Sequence, residues 1–166
     1  MPLTSLSIEP SCSNPVDQVE TFLSGKGWTI ERRDDRSVYA QVPGYWCDCV
    51  LVFFWSENLD ALQFSCAIDI RVPDSRRAVL YELLALLNER LWVGHFSLWN
   101  ETSMPRFRHT LLLSGSRVCA GDLDEIVDIA LAECERFYPA FQFALWGGNC
   151  ARDALDSALL DTKGEA

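Results

Sequence analysis

Lysine is scarce in this chain: only two of its 14 basic residues are Lys, and histidine occurs just twice, as His95 and His109. No run of 18 or more apolar residues is present, which excludes a membrane-spanning helix. Met1 to Pro10 have neither a basic start nor a continuous apolar stretch, so no secretory signal is expected there. The phosphate-binding patterns G-x-x-x-x-G-K-[ST] and G-x-G-x-x-G are missing too. Positive charge is in deficit, with a net charge of −10 and a pI of about 4.6. That balance opposes binding to nucleic acid, which needs clustered Lys and Arg, and to anionic membrane surfaces.

Cysteine is plentiful by contrast, with seven residues: Cys12, Cys47, Cys49, Cys66, Cys119, Cys134 and Cys150. The count is odd and no export signal precedes them. Reduced, mostly buried thiols in a cytoplasmic protein are therefore expected. The 166 residues suit one domain, enough to bury a core without staples. Its expected limits are 14–160, between flexible tails at 1–13 and 161–166.

Turn residues and periodicity divide that domain. Asn14-Pro15 reads as a cap and first helical residue, opening a helix to about Ser24. Four strands follow: Trp28 to Arg33, Val38 to Val42, Trp46 to Trp55 and Leu62 to Val72. A helix starts near Pro73-Asp74, with Leu80, Leu83, Leu84, Leu87 and Leu91 at helical spacing, and Gly94 lies past its end. His95 to Trp99 and Arg106 to Leu113 form a hairpin. Asp122 and Glu125 suggest a capping box for the next helix, which Pro139 is expected to kink or end near Tyr138. Asn149 caps a last short helix. The predicted class is α+β, with a mainly antiparallel sheet in the order α-ββββ-α-ββ-α-α.

Keeping each face uniform rules out a slip of one and, between the third and fourth strands, favours the register below or one shifted by two. Pairing Trp55 with Leu62 sets Phe53 against Phe64, Leu51 against Cys66 and Cys49 against Ile68, all apolar. The opposite face then sets Phe54 against Gln63, Val52 against Ser65 and Val50 against Ala67. In the later hairpin, pairing Trp99 with Arg106, Ser97 with Arg108 and His95 with Thr110 separates these from Phe96, Leu98, Phe107, His109 and Leu111. Trp99 then lies within cation–π reach of Arg106 and Arg108. Trp46, Val50, Val52 and Phe54 would share an outer face too apolar to stay bare. The Pro43-Gly44-Tyr45 turn leaves the facing of the second strand open.

Candidate chemistry is thin. Cys47 and Cys49 point to one face of a strand, but a structural zinc site wants four N or S ligands, and Leu51, Phe53 and the Ile of the next strand favour core packing. His109 faces inward and could serve as a base, although a buried, hydrogen-bonded histidine is the plainer reading. With His95 on the other face, the two cannot share a metal. Asp48 and Asp69 could be a cross-strand carboxylate pair, or simply solvated. Trp46, Trp92, Trp99 and Trp146 could line a cleft, or serve the core. No cofactor or metal is expected.

Several unusual strings occur in order: Gly44-Tyr45-Trp46-Cys47-Asp48, Val72-Pro73-Asp74-Ser75-Arg76-Arg77, Asn88-Glu89-Arg90-Leu91-Trp92-Val93-Gly94-His95-Phe96, Phe107-Arg108-His109-Thr110-Leu111-Leu112-Leu113 and Tyr138-Pro139-Ala140-Phe141-Gln142-Phe143. Together, over about Pro15 to Leu160, they resemble the YbjN-domain family in its alphaproteobacterial form, with Cys49 standing where an aromatic residue is expected in relatives. The resemblance implies a fold like that of type III secretion chaperones and a role in bacterial sensory-transduction regulation, with no catalytic residues to carry over. The expected function is a non-catalytic regulatory or chaperone-like module that binds a protein partner and forms a homodimer. Its expected contact residues are Trp46, Val50, Val52, Phe54, His95, Trp99, Arg106, Arg108 and His109. The alternative is a small-molecule sensor or enzyme with a pocket lined by Trp, His and Arg.

Overall fold

The computed structural model describes residues 14–161. The two tails expected from the sequence lie outside these residues, apart from Asp161. The elements in chain order are α1 (Pro15–Ser24), β1 (Thr29–Arg32), β2 (Ser37–Val42), β3 (Cys49–Ser56), β4 (Ala61–Ile68), α2 (Arg77–Asn88), β5 (His95–Trp99), β6 (Met104–Leu112), α3 (Ala120–Leu145) and α4 (Ala151–Asp161). Their order is the one read from the sequence. The six strands form one antiparallel sheet, ordered β1-β2-β3-β4-β6-β5.

Local chemistry sets the ends. Asn14 accepts a hydrogen bond from the Val16 amide at 2.9 Å, and Pro15 supplies a preset φ where a helix needs no donor. Between β3 and β4 the chain makes a single tight turn over Glu57–Leu59 and passes through Asp60 at φ 46. Aspartate tolerates that left-handed conformation better than most residues. The third strand is shorter than read: Trp46, Cys47 and Asp48 belong to the turn after Pro43, and pairing begins at Cys49. The α3 helix begins at Ala120, ahead of the expected capping box, and Cys119 makes no side-chain cap.

Pro139 does not end α3. It sits buried inside a helix of 26 residues. A mid-helix proline costs about 3 kcal/mol or more. Phe137, Tyr138, Ala140 and Phe141 flank it on both sides and are all buried. Burying one large apolar side chain contributes about 1.5–3 kcal/mol, so packing outweighs the missing bond.

The β3–β4 ladder has the register expected from face uniformity: Trp55↔Leu62, Phe53↔Phe64, Leu51↔Cys66 and Cys49↔Ile68. The β5–β6 hairpin does not. Its pairs are His95↔Arg108, Ser97↔Arg106 and Trp99↔Met104, two residues from the expected register. The cause is a tighter turn, closed by the Ser103 amide donating to the Trp99 carbonyl at 2.8 Å with Ser103 at φ 54. A slip of two preserves the faces, so the apolar side still holds Phe96, Leu98, Phe107, His109 and Leu111.

All four helices gather on one side. Val16, Val19 and Leu23 of α1, Leu80, Leu83 and Leu87 of α2, and Phe137 and Phe141 of α3 join Val38, Leu51, Phe53, Phe64 and Phe107 in one buried core. Phe96 is its hub, with T-shaped contacts to Phe107, Phe137 and Phe141 at centroid distances of 5.8, 6.0 and 5.7 Å. The α4 helix packs on α2 and α3.

Phe53→Ala and Phe64→Ala are each expected to cost about 3–5 kcal/mol in urea melts, the usual range for emptying a buried aromatic site. Phe54→Ala, on the other face of the same strand, should cost under about 1 kcal/mol. Equal losses at Phe54 and Phe64 would contradict the assignment of faces.

Candidate functional site

One-sided helix packing leaves the other face of the sheet without a helix over it among the described residues. Alternation along each strand determines what that face presents. Across the sheet, one row runs Glu31, Tyr39, Val52, Ser65, Arg108, His95, and the next runs Thr29, Gln41, Val50, Ala67, Arg106, Ser97. A third holds Ser37, Phe54, Gln63 and Thr110. Ser65 and Ala67 are small side chains in the middle of this face. Taller neighbours on both sides turn the face into a groove of about 650 Å³. Tyr39, Val52 and Phe54 form its apolar side, and Trp99, Arg106 and Arg108 its basic side.

The arginines set the electrostatics. Arg106 lies over the Trp99 ring at 4.3 Å, across a diagonal of the β5–β6 ladder. Trp99 donates its indole N–H to Glu101 at 3.2 Å. The Nε of Arg106 is buried and has no hydrogen-bond partner among the described residues. Burial first, and then the charge of Arg108, push the Arg106 pKa down, against smaller upward pulls from Tyr39 and Glu101. At the far end Arg33 covers the Tyr39 ring at 4.1 Å and pairs with Glu31 at 3.2 Å.

The expected contact residues divide accordingly. Val52, Phe54, Trp99, Arg106 and Arg108 line the groove. Val50 shares the face but not the lining. Trp46 lies elsewhere: it stacks on Tyr138 of α3, with ring planes 8° apart and centroids 5.6 Å apart, on the helix side of the sheet. The four tryptophans considered for a cleft do not gather, since only Trp99 lines the groove, while Trp92 and Trp146 are exposed elsewhere. Neither histidine lines it. His95 and His109 occupy opposite faces by register, with His95 exposed and His109 half-buried. Tyr39 was not legible as a groove residue, because the turn at Pro43 hid the facing of β2. Arg33, Gln63, Ser65 and Glu101 needed the three-dimensional rows.

Cys47 and Cys49 have more company than the sequence suggested. Cys66 lies diagonally across from Cys49, its neighbours there including Cys134 of α3, and the Cys134 thiol donates to the Cys66 sulfur at 3.7 Å. The neighbouring thiols of Cys134, Cys66 and Cys47 hold the Cys49 pKa down. Burial pushes Cys47 up to about 11, and the donor contacts with burial push Cys66 up. Among the described residues no group of three or more His, Cys, Asp or Glu has an arrangement that could hold a metal. Asp48 and Asp69 do not pair in a ladder; Asp48 accepts from Gln41 at 3.1 Å.

Comparison with known proteins gives a consistent picture. The YbjN family model, described as "Putative bacterial sensory transduction regulator", matches residues 15–143. A solved structure, "YbjN, a putative transcription regulator from E. coli", superposes with a TM-score of 0.51 at 11% identity, covering 72% of this chain and 85% of that one. At that identity the likeness is one of fold. None of the curated proteins matches the chain.

Two measurements follow. A thiol reagent applied to the native protein should label exposed Cys119 and Cys150 within minutes, while Cys49, Cys66 and Cys134 stay unmodified until denaturation. Rapid native labelling of Cys66 or Cys134 would contradict the packing. The second concerns pH. Burial lowers the pKa of both histidines, helped by Arg108 at His95 and by His95 at His109. The unfolded chain therefore binds more protons than the folded one just below the ordinary value of 6.5. Stability should fall as pH drops from 6.5 towards the lowered folded values, then level off. His95→Gln with His109→Gln should flatten that slope in denaturant melts taken between about pH 5 and 7.

Proposed function

Because the chain belongs to the YbjN family, we propose that it is a non-catalytic regulatory module that acts by holding another polypeptide on the open face of its sheet. One observation carries this: apolar and aromatic side chains share a face with half-buried cations, and every described helix packs on the opposite side. Val50, Val52 and Phe54 on such a face gain from being covered.

A pocket for a small molecule is the competing reading. The groove's volume lies within the range of ligand sites, roughly 300–1,000 Å³. Its shape argues the other way, since its lining runs from Arg33 and Asp34 beyond β2 to Trp99 and Glu101 at β5, along an open surface. A second copy of this chain is also a less suitable occupant. Two such faces pressed together with their basic ends aligned would set Arg106 and Arg108 of one copy near those of the other, and like charges across an interface are costly. Moving Trp46 to the helix side removes one of the four apolar residues that the homodimer was expected to use. The partner we propose is therefore a different polypeptide.

Site-specific photocrosslinking in the native host tests this directly. A benzophenone side chain at Phe54 should give adducts to another protein, whereas one at Tyr81, exposed on α2, should give few. Adducts from Tyr81 and none from Phe54 would place the contact on the helices instead. Light scattering at micromolar concentration should report a monomer. A dimer that Phe54→Asp dissociates would assign the face to a second copy.

A further inference from the structure

We infer that the segment received on this face is acidic at one end and apolar at the other, with its carboxylates meeting Arg106 and Arg108. This rests on the reading of the open face as a polypeptide-binding surface, and adds the chemistry of the partner.

The first ground is the state of the two arginines. Arg32, Arg33, Arg77 and Arg136 each have a carboxylate partner, and Arg76 donates to main-chain carbonyls. Of the described arginines whose side chains make no hydrogen bond or ion pair, Arg36, Arg71, Arg90, Arg117 and Arg152 are exposed and solvated. Arg106 and Arg108 alone in that group are half-buried. Register explains why they lack partners. Arg106 lies between Ala67 and Ser97, and Arg108 between Ser65 and His95, so no flanking strand offers a carboxylate at that level. Desolvated guanidinium groups without an acceptor are costly, and a carboxylate from outside offsets that cost through paired, charge-assisted hydrogen bonds. Trp99 beneath Arg106 fixes the plane of one guanidinium in advance.

The second ground is length. The lining crosses β2, β3, β4, β6 and β5. Four interstrand spacings make ~19 Å, the reach of about six extended residues or a helix of about thirteen. A small anion would satisfy the arginines but leave Tyr39, Val52 and Phe54 uncovered. The chain's own residues 1–13 contain a single carboxylate, Glu9, too few for two cations. Nucleic acid would answer the cations, but Asp34 and Glu101 line the same groove and the chain carries a net charge of −10. The occupant that fits both ends is a peptide segment with two carboxylates on one side and, about 10 Å away, apolar side chains for Tyr39, Val52 and Phe54.

A random twelve-residue peptide library displayed on phage, selected on the full-length chain, tests this. Enriched peptides should carry at least two Asp or Glu together with an aromatic or aliphatic residue. Synthetic copies should bind at least tenfold more weakly to Arg106→Gln/Arg108→Gln, more weakly in high salt, and with a smaller loss to Arg106→Lys/Arg108→Lys, which keeps the charge but not the paired donors. Unaltered thermal melting of the variants would establish that they fold. Enrichment of peptides without acidic residues, or equal binding to the Gln variant, overturns the inference. If Val52→Asp abolishes such binding, the face remains a polypeptide site and only its charge preference was wrong. If binding ignores Val52→Asp as well, both proposals fail. Absence of any enrichment, tighter binding of phenylacetate than of any peptide, or micromolar binding of a labelled oligouridine would also overturn the inference.

Discussion

Phe53 and Phe64 face each other across β3 and β4 with ring centroids 4.8 Å apart, on the side of the sheet that the helices cover. That pair commits the two central strands to one facing. Alternation then passes the commitment outward through Val38 on β2 and His109 on β6, their register partners. Once the middle of the sheet has chosen its buried side, α1, α2 and α3 have only one apolar surface to pack on. The exposed side is a consequence of that choice, and its residues are whatever the intervening positions hold.

Those intervening positions are not an ordinary solvated surface. A strand facing water normally alternates apolar with polar residues, as β6 does with Arg106, Arg108 and Thr110. On β3 the alternates on that face are half-buried Val50 and Val52 and exposed Phe54 instead. Beside them stand two arginines that receive no carboxylate from a chain with ten more acidic than basic residues. Their separation from the apolar side by Ser65 and Ala67 gives the face two chemical ends.

Much of the architecture was legible in the sequence because it depends on periodicity. Face uniformity narrowed the β3–β4 register to the observed one or one shifted by two, since a slip of one would have mixed Phe53 with Gln63. The β5–β6 register met the same ambiguity, and there the turn through Ser103 decided for the shifted alternative. Pro139 misled because local propensity omits the burial that surrounds it. Trp46 misled because a turn lies between it and the ladder, so counting alternation back from Cys49 assigned it a face it does not have. Of the groove, Val52, Phe54, Trp99, Arg106 and Arg108 could be named from strand faces alone. Tyr39 and Ser65 acquired meaning only when five strands were placed side by side.

The strand order has a further consequence for how another chain could dock. Its edges are β1, with four residues, and β5, with five. Edge strands offer unpaired main-chain groups, and proteins guard them by keeping them short and charged. β1 carries Glu31 and Arg32, the latter anchored to Asp17 and Glu20 of α1, and β5 gives way after Trp99 to a tight turn. Neither border is long enough to template an added strand of ordinary length. Recruitment by extending the sheet sideways is thereby discouraged, which protects against edge-to-edge aggregation. It also means that a chain docking on the open face would be recognised through side chains rather than main-chain hydrogen bonding, so such recognition could be retuned by single substitutions without disturbing the fold.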